Sequence, residues 1–434
     1  MADLATTFIG IKSPNPFWLA SAPPTDKAYN VNRAFEAGWG GVVWKTLGED
    51  GPPIVNVGGP RYGALHAGDR RVIGFNNIEL ITDRPLQVNL DEIRQVKRDW
   101  PDRALVVSLM VPCEENAWKS ILARVQDTGC DGVELNFGCP HGMSERGMGS
   151  AVGQVPEYIQ MVTEWCKQHG SLPVIVKLTP NITDIRYPAR AARAGGADAV
   201  SLINTVSSII GVDLDRMTMS PAIDGMGSHG GYCGPAVKPI ALNMVAEIGR
   251  DAATRGLPIS GIGGIGTWRD AAEYIALGCG NVQVCTAAMV YGFKIVQDMV
   301  DGLANFMDER GYATIEAFRG KALASVTDWQ HLNLAYTEKA VIDQDLCIRC
   351  GRCHVACEDT SHQAITAMKD GRRHFEIIES ECVGCNLCTS VCPVPGCITM
   401  RTLAPGEVDR RTGQPVRAAR LPWTQHPNNP MRQR

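Results

Sequence analysis

The chain has 434 residues, a formal net charge of −4 and a sequence pI near 6.2. That balance excludes a basic footprint for nucleic acid, and the acidic excess is too small for a disordered, solvating chain. No apolar run is long enough to span a bilayer, and residues 1–10 lack the basic flank and apolar stretch of a secretory signal, so no membrane association and a cytoplasmic location are expected.

Residues 1–310 alternate short apolar runs with helical segments. The runs, at 17–22, 41–46, 104–110, 132–137, 173–178, 198–204, 258–264 and 281–286, are rich in Val, Ile and Leu with little alternation, as in strands buried on both faces. Helical patterns lie at 31–37, 91–100, 115–128, 156–169, 184–194, 235–250, 268–277 and 288–309. Several stop at a Gly or Pro just beyond the last periodic residue. Eight alternations predict an α/β fold, a parallel (β/α)8 barrel, with a doubly wound sheet as the competing arrangement.

Two connections, 47–89 and 205–234, exceed what a barrel needs and are expected at the strand C-termini, where barrels build their sites. The polar residues Lys45, Asn136, Lys177, Asn204 and Thr286 end strands on that side, although any strand end that meets water turns polar. Residues 311–339 read as a bridging segment. Residues 340–400 form a small, cysteine-dense α+β domain. Residues 401–434, polar with scattered arginine and proline, read as an extended tail.

Eight of the sixteen cysteines lie in two tandem runs, Cys347-x2-Cys350-x2-Cys353-x3-Cys357 and Cys382-x2-Cys385-x2-Cys388-x3-Cys392-Pro393. This is metal-ligand spacing in a reduced compartment rather than a disulfide scaffold. Structural zinc uses two well-separated pairs, whereas three thiolates at this pitch embrace a cubane and the fourth of each run serves the other cluster. Cys347, Cys350, Cys353 and Cys392 are therefore expected on one 4Fe-4S centre, and Cys382, Cys385, Cys388 and Cys357 on the second, in a two-cluster ferredoxin-like domain. Glu358 stands where the first run lacks its proline, and Cys397 lies outside the pattern.

The run Gly261-Ile262-Gly263-Gly264-Ile265-Gly266 formally matches a dinucleotide fingerprint, but it sits at the seventh strand and lacks the acidic residue expected about 20 positions on. Barrels instead place a phosphate site after strands seven and eight. Gly263 and Gly264, with Cys285 and Thr286, suit one phosphate group and so FMN over NAD, against the plainer reading of a tight turn. Lys45 and Lys177 would stabilise negative charge on a reduced flavin, or else point to solvent from the rim.

After the fourth strand comes Asn136-Phe137-Gly138-Cys139-Pro140-His141-Gly142-Met143-Ser144-Glu145-Arg146-Gly147-Met148-Gly149. Cys139, on a glycine-rich loop, is a natural proton donor for a reduction that adds hydride to one carbon and a proton to its neighbour, although a lone loop cysteine is more often inert. His141 and Arg146 are candidates to tune it.

The run from Asn136 to Gly149 resembles the active-site loop of the dihydropyrimidine dehydrogenase family. So do Gly74-Phe75-Asn76-Asn77-Ile78-Glu79-Leu80-Ile81, Val176-Lys177-Leu178-Thr179-Pro180-Asn181 and Asn204-Thr205-Val206-Ser207. Dihydroorotate dehydrogenases are a broader resemblance, but their loop usually continues Cys-Pro-Asn, where this chain has Cys139-Pro140-His141. The resemblance reaches to about Met400 and includes the ferredoxin domain.

It implies reduction of the 5,6-double bond of uracil and thymine, with hydride passing from FMN N5 to C6 and a proton from Cys139 to C5. It implies that Asn77, Glu79, Asn136, Asn204 and Thr205 hydrogen-bond the pyrimidine. It implies that Ser21, Lys45, Thr46, Lys177, Gly234, Gly263, Gly264, Cys285 and Thr286 hold FMN. The animal enzymes carry Ser where this chain has Gly138. They also carry an NADPH- and FAD-binding half that is not found here. Electrons are therefore expected through the two 4Fe-4S clusters from a separate FAD- and NADH-binding subunit, as in the two-subunit bacterial enzymes, with a dimer of heterodimers by analogy. The rivals are a dihydroorotate dehydrogenase-type catalytic subunit, which wants a cation for the orotate carboxylate, and a non-catalytic electron carrier.

Overall fold

The computed structural model describes residues 2–49, 51, 53–140 and 147–433. They divide into two compact units, Met1–Val326 and Thr327–Arg434.

In the first unit, eight parallel strands close into a barrel: β1 (Phe17–Leu19), β2 (Gly41–Leu47), β3 (Ala104–Leu109), β4 (Gly132–Asn136), β5 (Val174–Lys177), β6 (Ala199–Leu202), β7 (Ile259–Ile262) and β8 (Asn281–Val284). The ring closes where Val282 of β8 pairs with Phe17 of β1. Every residue of these strands is buried, which is why the sequence shows apolar runs rather than alternation. Helices α1 (Ala28–Ala37), α2 (Leu86–Asp99), α3 (Glu115–Gln126), α4 (Pro156–His169), α5 (Arg186–Ala194), α6 (Lys238–Arg250), α7 (Trp268–Ala276) and α8 (Ile295–Arg310) follow the strands in turn. The predicted helix at 288–309 is two helices, Thr286–Tyr291 and α8, because Gly292 turns through φ +83° between them.

The barrel interior changes character along its axis. At the N-terminal end, Trp18, Val43, Val106, Ile175 and Ala199 pack with Phe8 and Ile11 of the hairpin Thr6–Phe8/Ile11–Ser13. Two residues further along their strands stand Lys45, Ser108, Lys177 and Ser201. The two-residue period of a strand puts these polar groups on the same inner face. One end is thus an apolar plug and the other a polar floor.

Above that floor the two long connections meet each other. Val206–Ser208, Gly230–Cys233, Val72–Asn77 and Tyr62–His66 form a four-stranded sheet in that order, with Val206 opposite Tyr232 and Tyr232 opposite Asn76.

In the second unit, Glu338–Ile342 pairs antiparallel with Ile398–Thr402, and helices Arg352–Glu358 and Leu387–Val391 carry the cysteines. The two motifs use the same backbone device. Arg349 and Gly351 flank Cys350 at φ +55° and +84°, and Gly384 and Asn386 flank Cys385 at φ +78° and +66°. Left-handed residues either side of the middle cysteine wrap the chain tightly around one point. Residues beyond 400 are not the extended tail predicted from composition. Leu403, Asp409 and Asn429 are buried, and Val408–Asp409 pairs with Gln414–Pro415. One anchor is Lys339, a buried ammonium that donates to Asp409 Oδ1 at 2.6 Å, and the Leu403 amide donates to the Thr337 carbonyl at 3.0 Å.

Candidate active site

A cavity of about 690 Å³ opens at the C-terminal end of the barrel, within the roughly 300–1,000 Å³ range of small-molecule and cofactor sites. Its wall includes the thiol-bearing Cys139. It also includes Asn77, Glu79, Asn136, Asn204 and Thr205, the residues expected at a pyrimidine. Ser21, Lys45, Thr46, Lys177, Gly234, Gly263, Gly264, Cys285 and Thr286, expected at a flavin, line the same space.

The amides are held by each other and by the floor. Asn136 Nδ2 donates to Thr46 Oγ1 at 3.0 Å, and Asn204 Nδ2 donates to Asn136 Oδ1 at 2.9 Å. Asn204 Oδ1 accepts from the Thr205 amide at 2.8 Å. Thr46 in turn meets Ser21 Oγ at 3.1 Å and Ser108 Oγ at 2.9 Å. On the capping sheet, Asn77 Nδ2 donates to the Gly231 carbonyl at 2.9 Å, and Asn77 Oδ1 accepts from the Glu79 amide at 3.3 Å. Several amide side chains, each offering donor and acceptor, are therefore preset in one region.

Cys139 lies beside them, buried with Ile81, Met110 and Met148, and its carbonyl accepts from the Ser150 amide at 3.1 Å. His141 and Arg146 lie outside the described residues.

Each lysine of the cavity wall has a carboxylate. Lys45 Nζ donates to Glu79 Oε1 at 2.8 Å and lies 3.8 Å from Asp26 Oδ2. Lys177 Nζ lies 3.6 Å from Oε1 of the fully buried Glu134. Glu134 Oε2 accepts from Ser201 Oγ at 2.8 Å and from Gln283 Nε2 at 3.0 Å. Lys238 Nζ donates to Asp270 at 2.7 Å and lies 2.9 Å from Glu273. These counter-ions make the buried Lys45 and Lys177 tolerable on their strands. Sequence reasoning named Lys45 and Lys177 but missed Glu134, Ser201 and Gln283, and Ser260, whose Oγ accepts from Gln283 Nε2 at 3.0 Å. Their signal was available: Glu134 stands two residues before Asn136 in an otherwise apolar strand, hence on the same inner face.

The far end of the cavity is shaped by close backbone approach. Gly263 and Gly264 turn through φ +129° and +70°, and a Cβ on Gly264 would lie 2.8 Å from Lys238 Cβ and 2.9 Å from the Gly234 carbonyl oxygen. Only glycine fits there, and the next residues are fixed by Asp270, which accepts from the Gly266 and Thr267 amides at 3.0 and 2.8 Å. Burial pushes the nearby Cys285 thiol up to about 12, so it stays protonated. A glycine cradle at one end, matched lysines along the wall and polar side chains at the other end fit a mononucleotide beside a small polar heterocycle.

In the second unit, Cys347, Cys350, Cys353 and Cys392 line one small cavity, and Cys357, Cys382, Cys385 and Cys388 line another. Two four-thiol sets, each drawing its fourth member from the other run, fit two cubane clusters. Cys397 is buried beside the first set, and burial, with Cys392 and Cys347 close by, pushes its thiol up to about 12.

The dihydroorotate dehydrogenase family profile matches residues 3–307, and a 4Fe-4S dicluster domain matches residues 340–400. The chain is 41% identical over 412 residues to the NAD-dependent dihydropyrimidine dehydrogenase subunit PreA of Escherichia coli (strain K12), covering 95% of this chain and 97% of that protein. It is 41% identical over 350 residues to the chloroplastic dihydropyrimidine dehydrogenase (NADP(+)) of Arabidopsis thaliana, covering 79% of this chain and 82% of that one. A solved structure of DHODH from Eimeria tenella, in complex with ferulenol, shares the fold, with a TM-score of 0.60 at 20% identity over 73% of this chain and 88% of that one. Among the described residues no helix is long and apolar enough to cross a membrane. FMN and 4Fe-4S clusters are the cofactors of this architecture. The chain belongs to the dihydroorotate dehydrogenase family, among the dihydropyrimidine dehydrogenases that join the barrel to a 4Fe-4S dicluster domain.

Proposed function

We propose that this chain is the catalytic subunit of a dihydropyrimidine dehydrogenase and reduces the 5,6-double bond of uracil and thymine. The observation that carries the proposal is the convergence of Asn77, Asn136, Asn204 and Cys139 on one cavity whose lysines are already paired with carboxylates. Uracil alternates N–H and C=O groups around its ring, and preset amide side chains match both kinds. Thr205 and Glu79 complete the polar edge.

Cys139 is the general acid that delivers a proton to C5. Its burial among Ile81, Met110 and Met148 excludes water from that step. Ser21, Lys45, Thr46, Lys177, Gly234, Gly263, Gly264, Cys285 and Thr286 hold FMN, with the glycine cradle at its phosphate. When bound, FMN provides the hydride for C6 and the 4Fe-4S clusters deliver its electrons singly. Glu134 holds the Lys177 ammonium in place on the cavity wall. Cys347, Cys350, Cys353 and Cys392 ligate one cluster; Cys382, Cys385, Cys388 and Cys357 ligate the other. The electron source is an FAD-bearing, NADH-oxidising partner subunit, in a cytoplasmic dimer of heterodimers.

The test supplies electrons artificially. The purified chain, given a reduced viologen and uracil without any partner, should form dihydrouracil. A preparation that holds FMN and iron and forms none would overturn the proposal.

A further inference from the structure

The two halves of the second unit share a backbone plan but not the groups they turn toward their thiol sets. After the last cysteine of each run the chain returns to a matching position, Ala364 in one half and Cys397 in the other. Each stands just before an isoleucine that enters a β pairing, Ile365 opposite Ile377 and Ile398 opposite Ile342. Each is pinned by its carbonyl: Ala364 accepts from the Ile378 amide and Cys397 from the Asp343 amide, both at 2.8 Å. The amides then differ. That of Ala364 donates to Cys357 Sγ at 3.3 Å, whereas that of Cys397 is taken by the Val394 carbonyl at 3.2 Å. What the second half has in place of an amide is a thiol.

Cys397 is only 2% exposed and lines the same small cavity as Cys347, Cys350, Cys353 and Cys392. A free thiol is protonated at neutral pH, and burial favours that form further. Its proton has two kinds of acceptor within reach: the Asp343 carbonyl, at a long 3.7 Å, and the sulfurs of Cys392 and Cys347. When those two cysteines ligate iron their sulfurs are anionic, and an anionic acceptor is bonded more strongly than a carbonyl.

We propose that Cys397 is a positioning residue for the cluster held by Cys347, Cys350, Cys353 and Cys392, donating an S–H hydrogen bond to a ligand sulfur and so raising the reduction potential of that centre. Hydrogen bonds to the sulfurs are among the levers that set such potentials. The reduced centre carries one more negative charge, so its sulfurs accept more strongly and the donor favours the reduced form. The Ala364 amide acts alike on the second set through Cys357. An S–H is the weaker donor of the two, so the equivalent positions set the two centres apart in potential. The inference concerns the clusters alone and does not rest on the pyrimidine reaction.

The experiment is an anaerobic redox titration of the whole protein, read by the electron paramagnetic resonance of the reduced clusters. The wild type should give two one-electron waves. Cys350→Ala, which removes a ligand of the first centre, should keep only the wave of the second and so assigns them. Cys397→Ala should keep its full iron and move the first centre's wave to more negative potential without moving the other. Cys397→Ser, which retains a donor, should recover at least half of that shift. Resonance Raman spectra of the oxidised protein give a second reading: the Fe–S(Cys) stretches should rise in Cys397→Ala, because a thiolate relieved of a hydrogen bond binds iron more strongly. Unchanged waves and stretches in an iron-replete Cys397→Ala would overturn the inference. So would a shift confined to the wave that survives Cys350→Ala, equal shifts in Cys397→Ala and Cys397→Ser, or loss of a cluster from Cys397→Ala, which would make Cys397 a ligand.

Discussion

Replacing Glu134 with glutamine tests whether the polar floor of the barrel is built around Lys177. The substitution keeps the shape and removes one charge. Glu134 is fully buried on β4, 3.6 Å from the Lys177 ammonium, which is itself only 7% exposed. At that separation and an effective dielectric near 20, the pair is worth about 4–5 kcal/mol before desolvation. Removing one member of a buried pair typically costs about 3–5 kcal/mol, because the other charge is left behind. Lys177 borders the cavity and can draw in water, so a loss of about 3 kcal/mol from the flavin-free barrel is expected. The fluorescence of the buried Trp18, Trp39, Trp44 and Trp118 follows its unfolding in urea. The flavin should respond in the opposite sense. With Glu134 neutral, the Lys177 charge acts undiminished on the reduced flavin, and about 2 kcal/mol of extra stabilisation raises a two-electron midpoint potential by about 40 mV. Spectroelectrochemical titration of wild type and Glu134→Gln reads that shift. An unchanged stability, or a potential that moves negative, would refute the reasoning.

Other perturbations separate the parts of the molecule. Cys139→Ala should keep FMN and both clusters and slow uracil reduction by a factor of about 100 to 10,000, measured as dihydrouracil formed per second with reduced viologen as electron donor; undiminished turnover removes Cys139 from the mechanism. Cys350→Ala should lose about half the iron and keep its flavin, checked by metal analysis and absorbance. Asp409→Asn leaves Lys339, whose side chain is 2% exposed, without its carboxylate, and should destabilise the second unit by about 3 kcal/mol in denaturant. Burial pushes the Asp409 carboxyl up, but the Lys339 ammonium and the Arg411 amide, 3.0 Å away, outweigh it and hold it below its usual range. The wild-type stabilisation is thus present above the ordinary aspartate value of about 4 and is lost as pH falls below it, so the gap between wild type and the Asp409→Asn variant should close across that window.

The barrel could be read from the chain because parallel strands buried on both faces leave continuous apolar runs, and eight of them between helices admit few folds. The paired cysteine runs were legible for a similar reason: their spacing is dictated by the object they surround. What stayed hidden was contact between distant segments. Nothing in the sequence around Glu79 announces that it bridges Lys45 and Arg61, and nothing in residues 47–89 or 205–234 says that these loops build one sheet together. Glu134 was visible as a charged residue in an apolar strand, but its meaning required knowing that β5 places Lys177 beside it. The same holds for the C-terminal segment. Composition suggested a loose tail, and the buried Lys339 explains why Asp409 is held inside the second unit.

The most direct test of the account is a single-turnover half-reaction. The bound flavin is reduced anaerobically by light and a mediator, and the protein is then mixed rapidly with uracil, thymine or orotate while the flavin absorbance is followed. The account predicts rapid reoxidation by uracil and thymine with one dihydropyrimidine formed per flavin, and little response to orotate. Reoxidation by orotate in preference to uracil, or by no pyrimidine at all, would contradict it.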